Sequence, residues 1–379
     1  MRWQNLLALV VFHSGLIACT TPQTGLLGIA PPADNTDRIA LIAATTRAPV
    51  DNPGMLFGGD RGDAVAYSRI VVSIPRDRKA GTVQLPRQMP GDAKRDFVAT
   101  AVTSISRNDI ANAFRADGAH RRRAFVFVHG YSTTFDRAVF RFAQLVHDSD
   151  AKAVPILFSW PSRGQFLDYK RDFDNASYSR SDLANLLEAS IASPSIDEVV
   201  VLAHSMGAWL AVEALRQVAL KRGGVPAKVT SLILASPDLD VGVFRRQVED
   251  MGPRRPKITI FVARNDRALQ LSQFISRGGA RLGRIDLSQE KYRQALSDLK
   301  GITVLDLSAL SLGDRVNHAL YATSPEAVRL IGDRLLQGQV ITDADVSRPA
   351  VAIDALGAAA TFVVTTPILI FDTASGTRH

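Results

Sequence analysis

VVVLAHSMGAWLAVEAL, residues Val199–Leu215, decides how the rest of this chain is interpreted. Apolar residues precede Ala-His-Ser-Met-Gly, and an amphipathic pattern typical of a helix follows at once. A continuous apolar run is typical of a strand that is buried on both faces of a parallel sheet. The stretch therefore predicts a buried strand, a sharp corner at Ser205, and a helix.

Small residues flank this corner. Ala203 and Gly207 lie two positions before and after Ser205, where a tight strand-to-helix turn brings backbones close together. The turn places the serine beyond the carboxyl end of its strand, where sites form in parallel sheets. The first amides of the helix lack partners within it, so the Met206 N–H is placed to stabilise an oxyanion. We predict that Ser205 is a nucleophile rather than only a helix N-cap.

A serine hydroxyl needs a base, and His318 is the best candidate among the seven histidines. It follows the last predicted strand of the main domain and precedes the last helix, so its loop belongs to the same edge as Ser205. His204 adjoins the serine, so its side chain is expected to point away from the hydroxyl. The others are set aside by position: His13 in a signal, His120 in a basic run, His147 near a helix end, His379 at the last position, and His129 at the end of an earlier strand.

The base needs a carboxylate that orients it. Asp238 and Asp266 each follow a predicted buried strand, and both lie between Ser205 and His318 in the chain. The order Ser, Asp, His is that of α/β-hydrolases. The sequence favours Asp266, because its strand comes immediately before the histidine strand, and Asp238 stays open as the alternative acid.

The tripeptide His129-Gly130-Tyr131 ends another predicted strand. Gly130 permits a tight turn, after which the Tyr131 N–H can point at the same oxyanion as the Met206 N–H. We expect neither a metal nor a cofactor. The sequence has no His-x-x-x-His pattern and no cysteine cluster, and His129 has no second ligand at a suitable spacing.

Strands and helices alternate from Ala124 onward, which predicts βαβ units and a mostly parallel α/β sheet with helices on both faces. The earlier strands over 39–43 and 70–74 have no long helix between them and are expected to form an antiparallel edge. The main domain is predicted over 37–340. The net charge of +8 is spread along the chain, and no wide basic face with aromatic support indicates nucleic-acid binding.

The first residues predict export. Arg2 and the short apolar stretch that follows indicate a signal peptide over 1–18. Leu16-Ile17-Ala18-Cys19 looks like a bacterial lipobox, in which Cys19 is lipidated, and Cys19 is the only cysteine in the chain. The absence of Asp after Cys19 resembles outer-membrane sorting. We therefore expect a lipid-anchored protein of the bacterial cell envelope that faces the periplasm.

The segments at either side of the main domain differ from it in amino-acid composition. Residues 19–36 are rich in Pro, Gly and Thr and predict a tether. Residues 341–379 form an apolar C-terminal segment, in which Ala355–Phe371 carries no charge and is interrupted by Pro367. This stretch is shorter than a spanning helix needs. We expect a packed or hairpin-like segment, with a second membrane contact as the alternative.

As a set, these motifs resemble the α/β-hydrolase superfamily, and more narrowly its bacterial esterase/lipase-like family DUF900. The matching pieces extend from residue 39 to about 337 and are Ala44-Thr45-Thr46-Arg47, Phe57-Gly58-Gly59-Asp60-Arg61-Gly62, Val72-Ser73-Ile74-Pro75, Val128-His129-Gly130-Tyr131, Phe158-Ser159-Trp160-Pro161-Ser162, Ala203-His204-Ser205-Met206-Gly207, Ala235-Ser236-Pro237-Asp238, Asn265-Asp266 and Asn317-His318. The resemblance implies an α/β-hydrolase fold and a serine hydrolase with Ser205 as nucleophile, and it gives no substrate.

The expected activity is cleavage of carboxylic esters or thioesters through an acyl-enzyme, as in carboxylesterases and lipases. The expected partners are an acyl-ester small molecule or lipid as substrate, and the membrane through Cys19. Two alternatives stay open. The same acyl-enzyme could pass its acyl group to a lipid or glycan acceptor, or the chain could be a non-catalytic envelope-binding lipoprotein on a hydrolase scaffold.

Overall fold

The structure is a computed structural model of the chain. Cys19, the signal peptide and most of the C-terminal segment lie outside the described residues. These are 25–118, 122–165, 167–276, 279–297, 299–310, 316–332, 336 and 369–372.

The described part of the chain is built on one ten-stranded sheet. Its strands are β1 Thr36–Pro49, β2 Phe57–Pro75, β3 Val98–Ile105, β4 Arg123–Val128, β5 Val154–Ser159, β6 Glu198–His204, β7 Val229–Ala235, β8 Lys257–Val262, β9 Ile302–Asp306 and β10 Leu369–Asp372. The strand order is β10-β9-β8-β7-β6-β4-β5-β1-β2-β3. The central strands from β9 to β1 are parallel, and β2, β3 and β10 are antiparallel at the edges.

Helices cover both faces of this sheet. Those described are α1 Ile110–Gly118, α2 Phe135–Asp148, α3 Tyr169–Tyr178, α4 Arg180–Ala192, α5 Met206–Arg222, α6 Val241–Met251, α7 Arg267–Ser276, α8 Glu290–Ser297, α9 Leu320–Thr323 and α10 Pro325–Leu330. In β4, Phe125 and Phe127 contact the Phe142 ring of α2, while Val126 and Val128 join the cluster that α4 and α5 form on the opposite face. Successive side chains point to opposite faces, so both sets must be apolar. The predicted mostly parallel α/β sheet with an antiparallel edge is confirmed.

The N-terminal segment corrects one prediction. Residues 19–36 are predicted to form a tether, but Leu26 and Leu27 are buried against the domain. The Leu27 N–H donates to the Gly54 carbonyl at 2.8 Å, and the Leu26 N–H donates to the Asp136 carboxylate at 3.1 Å. Burial of two leucine side chains stabilises this arrangement by several kcal/mol, about 1.5–3 for each side chain. From residue 25 onward the segment is therefore part of the domain.

The C-terminal segment also contributes to the sheet. Leu369–Asp372 pairs antiparallel with Thr303–Asp306 of β9, so the sheet extends beyond the boundary predicted at residue 340. Edge strands in this position cover unpaired backbone groups of the neighbouring strand. Within the described ranges, no helix has the length and apolar character needed to cross a bilayer.

Candidate active site

The chain turns sharply at Ser205, between β6 and α5. Ser205 has φ 55° and ψ −124°, a combination that non-glycine residues rarely adopt and that is found at strained functional positions. Its N–H donates to the Ala235 carbonyl at 3.0 Å, and its own carbonyl accepts from the N–H groups of Ala208 and Asp238. The serine is thus fixed by the neighbouring strand β7 and by the first turn of α5.

Gly207 explains why a small residue follows the serine. A Cβ atom at this position would lie 2.2 Å from the His129 carbonyl oxygen and 2.8 Å from the Val128 carbonyl oxygen. Both obstacles are backbone atoms of the β4 end, so no side chain rotation could relieve the clash. Only glycine lets α5 begin this close to the loop after β4, as the sequence predicts.

His318 and Asp266 are joined by a hydrogen bond. The His318 Nδ1–H donates to Asp266 Oδ2 at 2.7 Å. The second oxygen of this fully buried carboxylate accepts from the Leu269 N–H at 2.9 Å, in the first turn of α7. Because a carboxylate only accepts, Nδ1 bears the proton in this hydrogen bond.

His204, the chain neighbour of Ser205, contacts His318. The His204 Nε2–H donates to the His318 carbonyl at 3.0 Å, and the two ring centroids are 4.6 Å apart. Burial lowers the pKa of His204 well below its ordinary value, and the nearby His318 imidazole lowers it further. A neutral His204 is thus both the chain neighbour of Ser205 and a contact of His318. The structure joins His318 to Asp266, and it joins His318 to His204, the residue that precedes Ser205.

Asp238 occupies a different environment. Its N–H contacts the Ser205 carbonyl, but its carboxylate accepts from Ser272 Oγ at 2.6 Å and from the Tyr169 hydroxyl at 3.0 Å. The Arg281 Nε lies 3.1 Å from the same carboxylate and forms a buried ion pair with it. The carboxylate of Asp238 is therefore engaged by α3, α7 and Arg281, whereas that of Asp266 holds the histidine.

Gly130 packs directly against the serine corner. A Cβ atom on Gly130 would lie 2.9 Å from Ser205 Cβ and 2.6 Å from His204 Nδ1. Tyr131 follows at this point, and Ser132 then adopts a left-handed φ of 53°. The turn that begins at Gly130 thus lies directly beside Ser205, with a tight and strained backbone.

A buried arginine at the end of β1 organises this loop. Arg47 donates to the Thr133 and Ser162 carbonyls, each at 2.7 Å, and to Ser159 Oγ at 2.8 Å. These partners belong to the segments after β4 and at the end of β5. Burial lowers the pKa of Arg47 to about 9, so the guanidinium is still charged at neutral pH. One cation thereby connects three strand ends at the rim of the site.

His129 is a neutral member of the same network. Burial, with a further contribution from Arg47, lowers its pKa to about 3. Its Nδ1–H donates to the Gly130 carbonyl at 2.8 Å, its Nε2 accepts from the Trp160 N–H at 3.2 Å, and its ring stacks on that of Trp160. His129 therefore shapes the turn rather than acting as a base.

Asp172 of α3 completes the support of the loop. It is almost fully buried, and its Oδ2 accepts from the Ser132 N–H at 3.1 Å and from Ser162 Oγ at 2.5 Å. Oδ1 is buried and has no hydrogen-bond partner in the described structure. Burial raises the pKa of Asp172 to about 6. The carboxylate therefore lies directly behind the Tyr131–Ser132 turn, in an environment where its charged form is energetically unfavourable.

A family model matches residues 106–334, more than half of the chain, and it describes an alpha/beta hydrolase of unknown function, DUF900. The chain belongs to this family. The DUF900 match and the sheet described above together show an α/β-hydrolase fold, and the coarse assignment as a hydrolase follows from both.

Individual proteins resemble this DUF900 hydrolase more remotely. An uncharacterized protein of Nostoc, alr1448, is 40% identical over 60 residues, which is 16% of each chain, so the match spans about one sixth of that relative. An esterase of Pyrobaculum calidifontis is 13% identical, with 81% of this chain and 87% of that chain covered and a TM-score of 0.35. The carboxylesterase CesB of Bacillus subtilis is 10% identical, with 80% and 93% covered and a TM-score of 0.38.

Three residues of this DUF900 site are not assigned from the sequence. Arg47 lies near the end of β1, in one of the motifs that carry the family resemblance, which is the one available signal. Asp172 lies in a charged stretch without a motif, and nothing local distinguishes it. His204 is set aside because it adjoins Ser205, yet its contact with His318 positions the imidazole. Over the described ranges, no group of three or more His, Cys, Asp or Glu side chains is arranged to hold a metal ion.

Proposed function

We propose that the protein is a serine hydrolase that cleaves carboxylic esters or thioesters through an acyl-enzyme on Ser205. The observation that carries the proposal is the 2.7 Å hydrogen bond between His318 and Asp266, together with a serine in a strained strand-to-helix turn whose chain neighbour His204 contacts His318. A nucleophile, a base and a residue that orients the base are the three parts that this chemistry needs.

In the proposed mechanism, His318 Nε2 accepts the Ser205 hydroxyl proton while Oγ attacks the carbonyl carbon of the ester. The Met206 and Tyr131 N–H groups stabilise the oxyanion that forms, each by about 3 kcal/mol. His318 then gives its proton to the leaving alkoxide or thiolate as the carbon–oxygen or carbon–sulfur bond breaks. Water, activated by the same imidazole, releases the acid and restores Ser205.

Asp266 is proposed to orient the base. Its Oδ2 fixes the tautomer with Nδ1 protonated and stabilises the imidazolium that forms during the reaction. The hydrogen bond to the Leu269 N–H holds the carboxylate itself in position. Asp238, the alternative acid of the sequence analysis, has its carboxylate paired with Arg281 and is proposed to support the site through packing.

The test replaces the nucleophile. Ser205→Ala is expected to lower turnover of p-nitrophenyl butyrate by at least about a thousandfold and to abolish labelling by a fluorophosphonate probe. Ser181→Ala is the matched control, because Ser181 is an exposed serine whose hydroxyl donates to Gln217 on the neighbouring helix. Circular dichroism checks that both variants fold. Labelling or turnover of Ser205→Ala at the level of the control would show that another residue is the nucleophile.

We also propose that the mature protein is anchored by lipid on Cys19, in the bacterial envelope. The lipobox sequence before Cys19 supports this proposal, and these residues lie outside the described part of the structure. A lipid anchor would hold the hydrolase domain at a membrane surface.

A further inference from the structure

A cavity of about 210 Å³ lies behind the Gly130 turn, between α2 and the residues that follow His318. Phe127 and Ala138 contribute apolar surface, and Tyr321 and His204 line the side towards the histidine loop. The volume equals that of about seven water molecules in the liquid, given about 30 Å³ for each. A phosphate or a short dicarboxylate fits such a space.

The cavity is positively charged. Arg137 and Arg141 both line it, and they lie one turn apart on α2, so their side chains project from the same face of the helix. No Asp or Glu is among the described residues that line the cavity. The Arg137 Nε is buried and has no hydrogen-bond acceptor in the described structure. A buried donor without an acceptor is costly, and an anionic ligand would supply one.

Two residues that line the cavity adjoin the proposed nucleophile. His204 precedes Ser205 in the chain, and a Cβ on Gly130 would lie 2.9 Å from Ser205 Cβ. Ala319, which follows the proposed base in the chain, lines it as well. A group bound here would therefore contact Gly130 and Ala319, which are the chain neighbours of the proposed oxyanion donor Tyr131 and of the proposed base His318.

We propose that this cavity binds the anionic end of the substrate, a carboxylate or a phosphate, so that the hydrolase acts on short esters that carry an acidic group. The assignment of this anion as part of a substrate rests on the hydrolase function proposed above. Arginine suits this ligand, because its guanidinium presents a fork of donors that matches carboxylate and phosphate oxygens.

Binding is tested without turnover. Isothermal titration of the Ser205→Ala protein with succinate and with inorganic phosphate is expected to show binding of at least one anion. The anion that binds more tightly indicates whether the acidic group of the substrate is a carboxylate or a phosphate. Arg137→Gln combined with Arg141→Gln is expected to weaken this binding at least tenfold, and Arg137→Lys to retain part of it. Arg246→Gln on the exposed face of α6 is the control and should bind as the parent does. Equal affinity in the double variant and the control, or no binding of either anion at 10 mM, would overturn the proposal.

Turnover separates this proposal from the proposed function. The ratio of kcat/KM for p-nitrophenyl hemisuccinate to that for p-nitrophenyl butyrate compares an acidic and a neutral acyl chain of equal length. We expect a ratio above ten that falls at least tenfold in Arg137→Gln and is kept in Arg246→Gln. A ratio near one in the parent, with both esters hydrolysed, would refute the substrate class alone. Anion binding without hydrolysis of any ester would refute the esterase and leave the anion site standing. Thermal unfolding of each variant checks that the fold is intact.

Discussion

Asp266 uses its two carboxylate oxygens for different purposes, one for His318 and one for the first turn of α7. Replacement by Asn keeps the shape but allows the amide to face Nδ1, which favours the wrong tautomer. We expect Asp266→Asn to lower kcat by on the order of 10⁴-fold, by analogy with other Ser-His-Asp enzymes. Steady-state hydrolysis of p-nitrophenyl butyrate measures the loss.

Asp238→Asn is the matched comparison, since this aspartate is equally buried and lies beside Ser205. Its carboxylate faces Ser272, Tyr169 and Arg281, so we expect a smaller loss of kcat accompanied by a lower melting temperature. A larger loss of kcat from Asp238→Asn than from Asp266→Asn, in folded protein, would transfer the acid role to Asp238.

The raised pKa of Asp172 predicts that the stability of the protein depends on pH. Its pKa in the folded protein is about 6, above the ordinary value of 3.8, so the folded state binds this proton more tightly than the unfolded state does. The contribution of Asp172 to stability is therefore greatest below pH 4 and falls by up to about 3 kcal/mol as the pH rises through 6. Relative to Asp172→Asn, the free energy of unfolding of the parent should fall between pH 4 and pH 7, as measured by urea denaturation.

The exposed Asp150 provides the control for this measurement. Asp150→Asn should show a pH profile parallel to that of the parent. A profile of Asp172→Asn that is also parallel to the parent would mean that the buried carboxylate does not titrate in this range.

At the scale of the elements, the close approach of α5 to the end of β4 forms the corner on which the site is built. Gly207→Ala forces a Cβ against the His129 carbonyl, so one of the two elements must move. We expect a loss of about 1–3 kcal/mol in the free energy of unfolding and a fall in kcat, because the Gly130–Tyr131 turn shifts with His129.

Gly242→Ala is the control for this substitution, since it lies in the first turn of α6 and its added Cβ would meet only a side-chain oxygen of Asp240 at 3.2 Å. Chemical denaturation and ester hydrolysis compare the two variants. Equal stability of Gly207→Ala and Gly242→Ala would contradict the tight contact at the corner.

The elements differ in how far the sequence alone predicts them. The strands around the site are recognisable because burial on both faces requires unbroken apolar runs, and Ser205 because the turn requires Gly207. Helix α3 is not predicted, since the stretch from Arg163 to Tyr178 mixes aromatic and charged residues without a clear helical period. The environment of Asp172 depends on loops that are distant in sequence, and no local pattern encodes it.

The choice between the two acids shows the same limit at the site. Strand order in the chain favours Asp266, but the pairing of Asp238 with Arg281 is visible only once α3 and α7 are packed together. The cavity beside Arg137 is likewise formed by segments from four separate parts of the chain. Local sequence therefore points to the proposed reacting groups more clearly than to the residues that surround them.

At the scale of the whole molecule, the proposed lipid anchor predicts where the enzyme is found. Cys19→Ser removes the acyl acceptor, so we expect the variant protein in the soluble periplasmic fraction instead of the membrane pellet. Thr20→Ser is the control and should still pellet. Fractionation followed by immunoblotting measures the distribution. A Cys19→Ser protein that pellets like the control would contradict anchoring through this residue.

The packing of Leu26 and Leu27 against the domain has a consequence for the reach of the anchored enzyme. Only five residues separate Cys19 from Gly25, a distance that even a fully extended chain covers in about 20 Å. Gly25 lies beside Asn52 and Met55 in the loop between β1 and β2, so under the proposed anchor it is this loop that leads to the bilayer. With an anchor this short, the domain stays within about its own diameter of the membrane. Its substrates are then molecules that lie in the leaflet to which it is attached or close to that leaflet.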